Sequence, residues 1–85
     1  MGLVSRVVAS QDLEKVVSET ATALAAGAPL AQRFIKNALD RSSSLTFEQA
    51  IEFEGQLQSV LLASADFREG VAAFLEKRPP QFTGR

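Results

Sequence analysis

Leu45-Thr46-Phe47-Glu48-Gln49-Ala50-Ile51-Glu52-Phe53-Glu54 carries the clearest start signal in the chain. Thr46 followed three residues later by Gln49 is a capping box, in which each side chain satisfies a backbone N–H that the first helical turn leaves without a partner. Leu45 and Ala50 stand where a hydrophobic staple forms. Beyond them Phe47, Ala50, Ile51, Leu57 and Leu61 recur at helical spacing, and Phe53 and Val60 widen the stripe. A stripe this wide predicts a helix covered on more than one side.

Reading outward gives three more helices. Upstream, Pro29 suits a first helical turn, where a missing N–H costs nothing. Leu30, Ala31, Phe34, Ile35, Ala38 and Leu39 follow on one face, and Arg41-Ser42-Ser43-Ser44 is a polar break. Before that, Ser10 reads as an N-cap with Asp12 and Glu14 in the first turn. Leu13, Val16, Val17, Ala21, Leu24 and Ala25 share a face, and Gly27 with Pro29 ends this helix. Downstream, a fourth helix is expected to begin at Asp66, with Glu69 as its capping-box partner. Phe67, Val71, Phe74 and Leu75 make its apolar face. Gly70 costs about 1 kcal/mol of helix propensity, so a close helix crossing is expected there. Lys77 and Arg78 fall in the last turn, where cations suit the dipole, and Pro79-Pro80 stops the helix. The Val-rich Gly2-Leu3-Val4-Ser5-Arg6-Val7-Val8 reads as a short extended piece. The fold expected is all-α: a small bundle of three to four helices with a short N-terminal extended segment. Its divisions are residues 1–9 (extended), 10–78 (helical domain) and 79–85 (tail).

Composition narrows the chemistry. The 85 residues contain no histidine and no cysteine. Ser-His-Asp and Cys-His nucleophiles, disulfides and His/Cys zinc sites are therefore outside the chain's means. There is no metal site to name and no glycine-rich phosphate loop, and what remains for acid–base work is carboxylate and lysine. A net charge of −1 favours no nucleic acid partner. No apolar run approaches the ~20 residues of a membrane span, and no signal peptide is visible at the N-terminus. These features fit a cytoplasmic protein without a membrane partner.

Particular pieces then resemble a known family. Gly2-Leu3-Val4-Ser5-Arg6-Val7-Val8 is similar to the segment that follows the catalytic core of the enoyl-CoA hydratase/isomerase (crotonase) family. Ala26-Gly27-Ala28-Pro29-Leu30-Ala31, Lys36 and Ala38-Leu39 resemble its next stretch, and Glu54 stands where the family commonly has a glutamate. Asp66-Phe67-Arg68-Glu69-Gly70-Val71-Ala72-Ala73-Phe74-Leu75-Glu76-Lys77-Arg78-Pro79-Pro80-Gln81-Phe82 looks like its C-terminal signature. The resemblance implies that the chain is the C-terminal part of an enzyme about three times as long, and that 1–9 links from a missing N-terminal core. In the family that core supplies two backbone N–H groups for the thioester oxygen and the acids that move protons. Met1 before the Gly-Leu-Val motif is then expected to be an engineered or truncated start. The expected role is that of a homo-oligomerisation and CoA-lid segment, inactive alone, with acyl-CoA as substrate and no cofactor. An independent helical interaction module without CoA chemistry is the alternative.

The resemblance also assigns Phe74 and Lys77 to CoA binding in the intact enzyme. Considered without the family, Phe74 reads as core of the fourth helix and Lys77 as a dipole partner. Glu54 reads as solvated, Glu48, Glu52 and Glu54 as a charged outer face, and Arg33 with Lys36 as a solvated pair one turn apart. Five rings, Phe34, Phe47, Phe53, Phe67 and Phe74, are many for so small a bundle. Some are expected to face the missing core or neighbouring subunits.

Overall fold

The computed structural model describes residues 2–85 and places four α-helices in them: α1 (Leu13–Ala25), α2 (Pro29–Ser42), α3 (Phe47–Leu62) and α4 (Ala65–Glu76). The segment before them, 2–9, carries neither helix nor strand. The described chain is thus all-α, as the periodicity predicts.

The capping box forms as read. Thr46 N–H donates to Gln49 Oε1 at 3.0 Å, and Gln49 N–H donates to Thr46 Oγ1 at 3.2 Å. Pro29 opens α2 in its first turn. At the other end of α2 the serine break closes on itself. Ser42 Oγ donates to the Leu39 carbonyl and Ser44 Oγ to that of Arg41, satisfying acceptors the last turn leaves open. Gly27 follows the end of α1 as expected, and its value is spatial. The Gln32 side chain reaches across it to the Leu24 carbonyl, so a Cβ at Gly27 would make the flexible Gln32 amide move aside.

Two helix starts differ from the sequence reading. Ser10 is not an N-cap: it opens a 3₁₀ turn, Ser10–Asp12, closed by Asp12 N–H on the Ala9 carbonyl at 2.9 Å. Asp12 then leads into α1 with no side-chain cap. The fourth helix starts earlier than Asp66. Ser64 is its N-cap, with Oγ accepting from Phe67 N–H at 3.0 Å. Asp66 and Glu69 are left free for another purpose.

α2 packs on α3 and α3 on α4, while α1 packs chiefly on its own entry turn. Arg41, at the end of α2, lies over the Phe53 ring of α3 at 5.0 Å, a cation–π contact across the helix pair. The result is an open arrangement. The radius of gyration is 16.2 Å, against about 12 Å for a compact chain of this length. Accessible surface is 7176 Å², against about 4,900 Å² for a folded monomer of this mass. Ala73 is the one fully buried apolar residue among those described. The wide stripe of α3 is not covered on two sides here: Phe47, Ile51 and Val60 stay exposed.

Candidate site at the C-terminal end of helix four

α4 carries two faces of different character. Asp66, Glu69, Gly70 and Ala73 follow one another at i, i+3, i+4 and i+7, so they line a single strip. Asp66 and Ala73 are buried, and Glu69 and Gly70 are half-buried. Phe67, Val71 and Phe74 lie about 100° around the helix from that strip, and all three are exposed. The apolar face named by periodicity is therefore the open one. The covered face is made of two carboxylates and two small residues.

What covers it is the terminal segment, which is no loose tail. Glu69 binds Arg78 through both oxygens, at 2.6 and 3.0 Å, and also accepts from Gln81 N–H at 2.8 Å. Asp66 accepts from Thr83 N–H at 2.7 Å and Gly84 N–H at 2.8 Å, and its own N–H donates to the Arg85 carbonyl at 3.0 Å. Between these anchors the Phe82 ring lies on Gly70, where a Cβ would stand 3.6 Å from a ring carbon. The close helix crossing expected at Gly70 is thus not found: the neighbour there is the returning Phe82 ring, at a distance a Cβ would fit. The capping-box role expected of Glu69 is likewise replaced, because Ser64 has already capped the helix.

The Arg78 guanidinium, followed by the Gln81 N–H, holds the Glu69 carboxyl down at about 2 instead of the usual 4.5. The same bonds, with a further one from Glu76 at 2.6 Å, push Arg78 above its ordinary value.

At the end of α4 the chain reverses through Lys77, whose backbone is left-handed (φ 54°, ψ 42°). Lys77 N–H donates to the Phe74 carbonyl at 3.3 Å and Arg78 N–H to the Ala73 carbonyl at 3.0 Å. These two bonds are the pattern of a Schellman motif, with lysine where glycine is usual. The two sequence-predicted site residues stand at this corner. Phe74 is 83% exposed, which overturns its reading as core. Lys77 is exposed and has no ion-pair partner among the described residues, whereas its neighbour Arg78 is fully engaged.

The other candidates do not gather with them. Glu48, Glu52 and Glu54 lie on the exposed surface of α3, and Glu54 borders a shallow groove between α2 and α3 with Phe34 and Leu57. Arg33 and Lys36 are exposed, Arg33 resting over the neighbouring Phe34 ring at 5.7 Å. A larger groove of about 410 Å³ lies where α2, α3, α4 and the terminal segment meet, with Leu30, Ile35, Leu61, Phe67 and Phe82 among its walls. Neither Phe74 nor Lys77 borders it. Among the described residues no group of three or more acidic, histidine or cysteine side chains could hold a metal ion. No described helix is long and apolar enough to cross a membrane.

Comparison with known proteins gives a consistent result. The sequence pattern of the "Enoyl-CoA hydratase/isomerase" family matches residues 1–85. A Rhodobacter capsulatus protein named "Probable enoyl-CoA hydratase" is 45% identical over 85 residues, all of this chain and 33% of that protein. The 1,2-epoxyphenylacetyl-CoA isomerase of Escherichia coli is 36% identical over 84 residues, 99% of this chain and 32% of the relative. Among solved structures, the enoyl-CoA hydratase of Bacillus anthracis superposes with a TM-score of 0.92 at 32% identity, over 99% of this chain and 33% of its own. The chain spans about a third of the length of the relatives it matches.

Proposed function

The chain belongs to the enoyl-CoA hydratase/isomerase family, and from that membership we propose that it is the C-terminal helical part of a cytoplasmic enzyme acting on acyl-CoA thioesters. In this reading the helices pack on the rest of the enzyme, contribute to homo-oligomer contacts and close over CoA. The reacting carbons are handled by the part of the enzyme outside these residues.

The observation that carries the reading is the uncovered apolar surface. Accessible area exceeds that of a compact monomer by roughly 2,000 Å², more than an ordinary interface buries on one partner. Leu13, Val17 and Leu24 on α1, Ile35 and Leu39 on α2, and Phe47 and Ile51 on α3 are all more than half exposed. Exposed apolar side chains on these three helices mark faces made to be covered.

The corner of α4 supports the CoA part. An exposed ring at Phe74 and an ammonium at Lys77 that has no ion-pair partner among the described residues suit a ligand with a planar base, an apolar arm and phosphates. Catalysis by these residues alone is not expected: Asp66 and Glu69 are tied up in holding the terminal segment, and Glu48, Glu52 and Glu54 lie on the exposed surface of α3. Sedimentation of the purified chain, with and without excess CoA, tests the reading. Self-association is expected, with no hydration of a short enoyl-CoA above background. A monomer that binds no apolar dye would remove the assembly role, and measurable turnover would remove the claim of inactivity.

A further inference from the structure

We infer that Asp66 and Glu69 are positioning residues. By fastening the terminal segment along α4, they hold the left-handed turn that keeps Lys77 at the corner beside Phe74, ready for a phosphate-bearing ligand. The ligand half of this inference rests on the CoA reading above, whereas the turn half stands by itself.

The starting observation is the backbone of Lys77. A φ of 54° is one that L side chains disfavour because Cβ crowds the following carbonyl, and helix ends of this shape ordinarily use glycine. Such a conformation persists where surrounding contacts over-determine it. Here the surroundings are specific. The residue after the turn, Arg78, is gripped by both oxygens of Glu69 and by Glu76. The segment is then caught again at Gln81 by Glu69, at Phe82 by Gly70, and at Thr83 and Gly84 by Asp66. The chain passes from Ala73 to these anchors through the turn at Lys77.

The arrangement also sorts two adjacent cations. Arg78 is consumed by the carboxylates, and Lys77 is left without a partner among the described residues. Glycine at position 77 would make the same turn with less strain and would remove the ammonium. Lysine there makes sense if the charge is wanted at that corner and the fastening exists to keep it there. The carboxylates of the family's C-terminal pattern then act through Lys77 and touch no ligand themselves.

The test uses the ¹⁵N-labelled chain and its variants. One reading is the intraresidue HN–Hα distance of Lys77, which is short at positive φ. The other is affinity for CoA and for pantetheine, which lacks phosphates. Glu69→Gln is expected to keep its helix content but lose the short distance. Its CoA affinity is expected to fall about fivefold, the size of one exposed charge pair, with pantetheine affinity unchanged. Arg78→Lys keeps the charge without the two-pronged grip and is expected to fall between. Retention of the short distance in both Glu69→Gln and Asp66→Asn would overturn the inference. So would a lost turn with CoA affinity intact, provided Lys77→Ala weakens CoA. The CoA reading fails separately if Lys77→Ala and Phe74→Ala match wild type or if no form binds CoA, and the HN–Hα distance still decides the turn.

Discussion

α1 and α4 are nearly equal in length, 13 and 12 residues, and both are amphipathic. Their circumstances differ. α1 begins without a side-chain cap, shows Leu13, Val17 and Leu24 to solvent, and rests mainly on the turn that precedes it. α4 begins at a side-chain cap, ends in a Schellman motif, and holds both buried residues among those described. It also carries its own cover, the terminal segment. An isolated helix of about 13 residues is marginal in water, and α1 has little packed against it within the described residues, whereas α4 owes its order to contacts within the chain. The difference separates a helix that the rest of the chain holds in place from one that it leaves largely uncovered.

Removing the Asp66 carboxylate should break this contrast most severely. Asp66→Ala leaves the N–H groups of Thr83 and Gly84 without acceptors in a part-buried place. Losing such charge-assisted bonds costs about 2 kcal/mol, or about 30-fold in opening. Amide exchange at Thr83 and Gly84 should accelerate by that order, with α1 unaffected. Unchanged protection at both would mean that Asp66 is not what holds the segment.

Acid should loosen the same region through Glu69. Its folded pKa of about 2 lies below the 4.5 of a free carboxyl. Its contribution is therefore complete above 4.5 and is lost as pH falls through 2. The Glu69 carboxyl carbon should titrate near 2 by NMR, with the Gln81 amide moving in step. A midpoint at the ordinary value would show that the Arg78 grip does not exist in solution.

Lys77→Gly should act in the opposite direction. Glycine relieves the left-handed strain while making the unfolded chain more flexible, so the net gain is about 0.5–1 kcal/mol. It should appear as a small rise in thermal midpoint. A loss of stability would mean that the lysine side chain, and not the turn, is what the site needs for folding.

The helices themselves were legible in the sequence, because caps and apolar spacing are local signals. Thr46 and Gln49 had only to be three residues apart. Which face of α4 is covered was not legible, since periodicity equates covered with apolar. The covered strip there is Asp66, Glu69, Gly70 and Ala73, and its partner is the backbone of residues 81–84. No spacing rule links a carboxylate to an N–H group 17 positions away. Gly70, a costly residue inside a good helix, is no guide either: the Phe82 ring lies over it at a distance that leaves ordinary contact for a Cβ, so the contact does not require glycine. Phe74 was misread for the complementary reason. Its helical position is apolar and regular, and only the absence of a neighbour in space shows that nothing in these residues covers it.

The smallest effect is expected on α1, and its smallness is the point. Val17 is 57% exposed on a helix with little packed against it. Val17→Asp changes a surface position between residues of similar helix propensity, so the isolated chain should shift by no more than about 0.5 kcal/mol. The same charge on a covered face would go unpaired into an apolar contact and cost several times as much. Chemical denaturation of the wild-type and Val17→Asp chains, at a concentration where both are monomeric, measures the difference. A loss above about 2 kcal/mol would show that α1 is packed by this chain itself. A near-zero change in the monomer, together with weaker self-association at higher concentration, would identify the α1 face as a surface through which copies of this chain associate.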